Sequence, residues 1–500
     1  MSRPTPLLLA AASLSFALAS TTLLSACGKK AAPEAAATAS APDPQAWRVQ
    51  QPTPGPEGTW TAPIATRFDL SNGIPVYLVE NPGLPLVTVD VVMAVGRDAN
   101  PKGKAGLHAL TASMLDEGTK KRKGADLAAA IADLGAELSV WGGGDNSMVV
   151  MDALGGEPLA ASLDLLTEVL LQPRFDKADF ARVKQQTVDQ IAANSAEPRD
   201  VAQRTFARAI FGADHPFGVP AIGEQGTVSA LTLTDAQALY KTWWHAGNAT
   251  LVVTGATTQA ELQPLLEARL GKWAKGKGTR GELAVPATPT ATRVIFKEQP
   301  GAVQSVIYAG RPAMARTSPD FWPANLAGTL FGGMFGSRLN MNLREEHGWS
   351  YGAYGGLSED RAISLFSART SVQADKTGPA VGEILKEMQA ARREPSAAEL
   401  TLTRDYLAKS LPGAFETNNT TAAAFAGALS TGLGPDALAR YTAELMAFDA
   451  AAVGAAATTW LDPAAMTVVV VGPARFAGDD GVEVDVVQSL KDLGHAVEVW

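Results

Sequence analysis

Apolar positions along the chain recur with two different periods. Between residues 68 and 95, two β-branched stretches, Val76-Tyr77-Leu78-Val79 and Val87-Thr88-Val89-Asp90-Val91-Val92, flank the turn sequence Asn81-Pro82-Gly83, which predicts a pair of strands. The period then lengthens. Leu107, Leu110, Met114 and Leu115 fall at i, i+3, i+7 and i+8, and Leu127, Ile131 and Leu134 keep the helical spacing. Further helices are predicted over 159–171, 177–194 and 234–244, and a strand over 249–254.

This plan is then repeated. Glu80, Pro82 and Gly83 recur as Glu298, Pro300 and Gly301, each 218 residues later. Trp243, Thr250 and Gly255 recur as Trp460, Thr467 and Gly472, each 217 residues later. Two separate patches whose offsets agree to within one residue imply an α+β chain of two homologous mixed α/β domains, each a sheet with helices packed on it and about 220 residues long. The domains are expected over 61–280 and 291–500, joined by a linker at 281–290 inside a Lys-, Gly-, Pro- and Thr-containing connection.

Composition narrows the function classes. With 500 residues, 46% hydrophobic and 19% charged, the chain can bury more than one core. Its net charge of -9, with no Lys/Arg run longer than Lys120-Lys121-Arg122-Lys123, offers no surface for a phosphate backbone, so nucleic acid is not an expected partner. Residues 1–26 read as an export signal: Arg3 precedes an apolar run over 7–18 that ends in Leu24-Ser25-Ala26-Cys27. That ending resembles a bacterial lipobox, which implies a diacylated Cys27 and a lipid anchor in the cell envelope, facing the periplasm from the outer membrane. Cys27 is the sole cysteine, so the chain can form no internal disulfide. The apolar run is broken by Ser and Thr, unlike the roughly 20 apolar residues of a spanning helix. Residues 27–60, rich in Ala, Pro, Thr and Ser, read as a tether.

The stretch Gly106-Leu107-His108-Ala109-Leu110-Thr111-Ala112-Ser113-Met114-Leu115-Asp116-Glu117-Gly118-Thr119 resembles the zinc helix of the insulinase and pitrilysin peptidases. That family carries H-x-x-E-H there, two histidines for zinc and a glutamate as general base. Aligned on the flanking residues, the ligand slots fall on Ala109 and Ser113 and the base slot on Ala112. Alanine has no donor atom, and a neutral hydroxyl is a poor zinc ligand beside imidazole or carboxylate. The family's third ligand is a glutamate on a later helix. In the matching run, Phe180 to Ile191, its slot is Gln190. No cofactor is therefore expected in this chain. His108 has Thr111 and Ala112 at i+3 and i+4, so no second ligand shares its face. The remaining histidines, His215, His245, His347 and His495, do not pair at ligand spacing.

The second half carries another signature. Phe331-Gly332-Gly333-Met334-Phe335-Gly336-Ser337-Arg338-Leu339, followed by Leu343-Arg344-Glu345-Glu346-His347-Gly348-Trp349-Ser350-Tyr351, resembles the family's glycine-rich segment and its arginine-tyrosine pair. In the family that pair binds substrate backbone at the scissile bond. A guanidinium and a phenol can both donate to a carbonyl oxygen gaining negative charge. Taken alone, Arg344 and Tyr351 also fit a helix ion pair and the opening of a strand. His215-Pro216-Phe217-Gly218, Ile222-Gly223 and the run 248–255 are further resemblances, which together extend from 68 to 499. Gly142-Gly143-Gly144 departs from the family's usual substrate-edge strand, and glycines there either weaken the strand or admit another backbone.

Two-domain members of this family work as pairs, closing two half-shells into a clam-shell peptidase. The resemblance implies that this chain is the half-shell with the arginine-tyrosine pair, that zinc belongs to a partner subunit bearing H-x-x-E-H, and that peptides are the substrate. The chain should be inactive alone. The competing expectation is an inert scaffold or binding protein of the same fold.

Overall fold

In the computed structural model, which describes Gln45, Arg48 and residues 60–478 and 481–500, strands form where β-branched residues cluster. Cys27 and the expected signal sequence lie outside the described residues, as does the expected tether apart from Gln45, Arg48 and Trp60. The first half contributes β1 Thr66–Asp69, β2 Pro75–Glu80, β3 Leu86–Met93, β4 Glu137–Gly142, β5 Ser147–Leu154 and β6 Ala249–Gly255. The second contributes β7 Arg293–Glu298, β8 Gln304–Pro312, β9 Ala353–Leu357, β10 Leu365–Gln373, β11 Thr467–Gly472, the hairpin β12 Arg475–Ala477 and β13 Glu483–Asp485, and β14 Val497–Val499.

Two six-stranded mixed sheets result, in the orders β1-β2-β6-β3-β5-β4 and β14-β7-β11-β8-β10-β9. Five strands correspond one to one. The repeated residues explain the matching offsets: Glu80 stands opposite Gly255 in β2 and β6, and Glu298 opposite Gly472 in β7 and β11. A side chain at Gly255, where φ is +141°, would run into the carbonyl of Leu86. Only the outer edge differs, since β1 lies antiparallel to β2 whereas β14 lies parallel to β7.

The expected pairing of β2 with β3 is corrected. β6 inserts between them, parallel to β2 and antiparallel to β3. The reason is burial: Leu251, Val252 and Val253 are completely covered, so β6 requires neighbours on both sides. Helices Glu157–Leu171, Lys177–Asn194 and Leu233–Trp243 form close to their expected bounds. The helix expected from Leu107 onward is short, Leu107–Ala112, although Met114 and Leu115 beyond it are still fully buried.

Each sheet has one face covered by its own helices and the other by a helix from the opposite half. Helix Pro198–Phe211 lays Val201, Ala202, Phe206 and Ile210 on Ile295, Val306, Val469 and Val471 of the second sheet. Reciprocally, helix Asn418–Ser430 lays Ala422, Phe425 and Ala426 on Tyr77, Val79, Val92 and Val252 of the first. Buried Asp98 draws Arg280 of the connection and Arg361 of the second half to 3.6 Å each. No helix among the described residues is long and apolar enough to cross a membrane.

Candidate functional site

Helix Leu107–Ala112 begins at Gly106, whose φ of +90° and contact with Gly223 exclude a side chain. The two glycine landmarks of the sequence thus meet here. Leu107, Leu110 and Ala112 turn into the core of the first half. The helix stops after two turns, where the Thr111 and Ser113 hydroxyls donate back to the carbonyls of Leu107 and Ala109 at 2.7 and 3.1 Å.

None of the expected zinc slots offers an imidazole or a carboxylate. Ala112 is fully buried, Ala109 is half-buried, and the Ser113 hydroxyl is engaged with its own helix. Gln190 sits exposed on helix Lys177–Asn194, and its amide donates to Asn194 Oδ1 at 2.7 Å. His108 is completely buried. Its Nδ1 accepts from Asn100 at 2.9 Å and its Nε2–H donates to the Gly143 carbonyl at 2.8 Å, so both ring nitrogens are used. Burial pushes its pKa down to about 4, which keeps the ring neutral. Nearby, burial raises the Asp116 carboxyl to about 6, while Glu117 pairs with Arg182. Among the described residues no group of three or more His, Cys, Asp or Glu could hold a metal. These side chains do not fit a zinc ion.

The glycine run resolves into close approach. A Cβ on Gly142, at the end of edge strand β4, would come within 2.5 Å of Ala109 Cα, and one on Gly144 within 2.9 Å of the Arg97 guanidinium. The strand lies directly on helix Leu107–Ala112 because neither has bulk there.

In the second half, the segment Met341–Glu346 forms a wide helical turn of the π type, the kind of irregularity that often marks functional sites. Gly348, at φ +66°, reverses the chain and returns Tyr351 to Arg344. The Arg344 Nη1 donates to the Tyr351 carbonyl at 3.0 Å, Nε pairs with Glu345 at 3.1 Å, and the guanidinium lies 4.7 Å from the Phe335 ring centre. Tyr351 is 91% exposed, and its hydroxyl has no partner among the described residues. Beneath them, Asn340 is 1% exposed; its amide donates to the Phe335 carbonyl at 2.7 Å and its Oδ1 accepts from the Ala353 amide at 3.0 Å. It clamps the glycine-rich segment to the start of β9. Sequence reasoning missed Asn340, although a polar residue inside Leu339-Asn340-Met341-Asn342-Leu343 was the available signal. No hydrogen bond or ion pair among the described residues joins the Arg344 group to the helix at Leu107.

His215-Pro216-Phe217-Gly218 has a structural use. The His215 ring accepts from the Phe217 amide at 3.0 Å, and Arg97 stacks on Phe217 at 4.3 Å.

Residues 75–217 match the model of the insulinase family, peptidase family M16, and residues 230–407 match the model described as the peptidase M16 inactive domain. Together these cover more than half of the chain. An uncharacterized zinc protease of Mycobacterium leprae is 25% identical over 310 residues, 60% of this chain and 68% of that protein. The mitochondrial-processing peptidase subunit beta of Blastocladiella emersonii is 24% identical over 263 residues, 53% of this chain and 56% of that one. In fold, the chain is similar to the crystal structure of a peptidase M16 inactive domain from Pseudomonas fluorescens, with a TM-score of 0.75 and 22% identity over 82% of this chain and 98% of that one.

Proposed function

The chain belongs to the insulinase family, peptidase family M16, and on that premise we propose that it is the non-zinc, substrate-binding subunit of a heterodimeric peptidase acting on peptides. The carrying observation is the Arg344–Tyr351 arrangement: a guanidinium fixed on the Tyr351 carbonyl beside a phenol that is 91% exposed and free to donate. In this reading the partner half-shell brings the zinc and the chemistry that a metal supplies to a carbonyl and a water. This chain's part is to hold the peptide, and to let the phenol and the remaining guanidinium N–H groups donate to its carbonyl oxygen as charge develops. Removal of every ligand slot at Ala109, Ser113 and Gln190 supports assigning the metal to the partner. The lipid anchor at Cys27, holding the pair on the periplasmic side of the outer membrane, belongs to the same proposal. A second reading, an inert scaffold, draws on the fact that Arg344 is already engaged by Tyr351 and Glu345.

Peptide cleavage by the reconstituted pair tests the choice. Tyr351→Phe removes one hydroxyl and almost no volume, so it should lower turnover about 10²-fold with assembly intact by gel filtration. Arg344→Ala should also slow turnover, less cleanly, since it loses stem packing on Phe335. Elemental analysis should find zinc entering with the partner only. Unchanged turnover in both variants would leave the scaffold.

A further inference from the structure

The face of the second sheet that meets helix Pro198–Phe211 carries Tyr308 of β8, half-buried against Phe206 with the ring centres 5.3 Å apart. Tyr354 of β9, Arg369 of β10 and Tyr308 are successive cross-strand partners, which puts the three side chains in a row on that face. Arg199, in the first turn of helix Pro198–Phe211, joins them in lining a cavity of about 240 Å³. Gly352 and Thr370 line it too. Gly352 directly follows Tyr351, and its carbonyl accepts from the Thr370 hydroxyl at 3.1 Å, which in turn lies 2.8 Å from the Ser350 hydroxyl. The cavity is therefore built into the side of the Arg344–Tyr351 turn.

Two guanidinium groups and no carboxylate line this cavity, and neither guanidinium is neutralised elsewhere. Among the described residues from 60 onward, every other arginine has a side-chain ion pair or hydrogen bond. Arg199 and Arg369 have neither, and they share one cavity. Even Glu197 and Asp200, which flank Arg199 at the start of its helix, do not pair with it. The Tyr308 and Tyr354 hydroxyls are also without a partner among the described residues. Two forks of N–H donors and two phenol O–H groups thus converge on a space with no acceptor of its own charge. The planar group that such forks match is a carboxylate, bound through paired N–H bonds. The volume exceeds the roughly 30 Å³ of a single water, so the occupant has room for a short stem as well as its charge.

We propose that this cavity is a carboxylate subsite, taking the side chain of an aspartate or glutamate in the peptide that meets Tyr351, with Arg199 and Arg369 as the residues that select it. The proposal rests on the reading of the chain as a peptide-binding subunit, but it is tested without the partner. The full chain is titrated calorimetrically, at physiological salt, with a blocked alanine-valine heptapeptide carrying glutamate at its centre, and with the same peptide carrying glutamine. The glutamate peptide should bind about 10-fold more tightly. The chain's net charge of -9 works against an acidic peptide, so such a preference has to come from a local site. Arg199→Gln and Arg369→Gln should each remove most of it, and the double variant all of it. Both arginines are exposed and unpaired, so these variants keep the fold. A third peptide, with glutamine at its centre and a free C-terminal carboxylate, should bind no better than the blocked glutamine peptide.

Equal affinity of the glutamate and glutamine peptides overturns the subsite and leaves the subunit reading standing, and failure of both to bind overturns it too. A preference that survives in the double variant also overturns it, since other cations then hold the carboxylate. Arg67→Gln, which removes the same charge from β1, should keep the full preference; its loss there would assign the effect to overall charge and sink the proposal. Tighter binding of the free C-terminus, with none for the central glutamate, would make the cavity a chain-end site and overturn the side-chain assignment. The subunit reading itself is decided by turnover of the Tyr351→Phe pair, which this titration does not measure.

Discussion

At the scale of single residues, a buried histidine is put to structural use. His108 ties helix Leu107–Ala112 to Asn100 on one side and to the Gly143 carbonyl on the other, a use that requires a neutral ring. Its pKa is lowered from 6.5 to about 4, so the unfolded chain binds the extra proton between those values while the folded chain does not. The His108 contribution is therefore fully present above about pH 6.5 and lost as pH falls towards 4, up to about 3 kcal/mol. Asp90 and Asp116 act with the opposite sign: burial raises them to about 7 and about 6, so their contribution is present near pH 4 and fades as pH rises through those values. The single-residue comparison separates the two. His108→Gln should be less stable than the wild type at pH 7, and denaturation at pH 4 should find that deficit smaller by up to about 3 kcal/mol. A deficit independent of pH would show that the ring is not held neutral.

At the scale of elements, helix Pro198–Phe211 and helix Asn418–Ser430 decide how the halves are joined. Each has an apolar stripe, but neither stripe packs on the sheet of its own half. Phe206 and Phe425 are the buried aromatic side chains that the two helices bring to the exchanged contacts, 3% and 0% exposed. Truncating a buried phenylalanine removes transfer free energy and leaves a cavity, so Phe425→Ala should cost about 3–5 kcal/mol in urea denaturation. The lost contacts are with Tyr77, Val79, Val92 and Val252, so hydrogen exchange should also rise in β6 and in β2 and β3, the last two more than 300 residues from Phe425 in sequence. Exchange that rises only within helix Asn418–Ser430 would show that the helix is a loosely held cover.

At the scale of the whole molecule, reciprocal covering predicts one folding unit from residue 60 to 500. Neither half keeps both faces of its sheet buried without the other, so secondary structure and tryptophan fluorescence should report a single coincident unfolding transition. Two separated transitions would mean that the exchanged helices contribute little. Much of this architecture was legible in the sequence. The matching offsets of Glu80, Gly255, Glu298 and Gly472 announced a duplicated sheet, because a backbone position that admits only glycine and its strand partner are marked by residue type alone. The absence of imidazole and carboxylate at Ala109, Ala112, Ser113 and Gln190, and the spacing of Arg344 and Tyr351, were equally visible, being statements about which atoms a side chain owns. The insertion of β6 between β2 and β3 was not. Nor was the exchange of the two helices, the clamp at Asn340 or the row joining Tyr354, Arg369 and Tyr308 across three strands. Local period says that a stripe or a face must be buried, and residue type says what it can donate or accept. Which distant surface buries it, and which charged groups come to share a cavity, is decided by contacts between segments far apart in the chain, and only the folded structure brings those together.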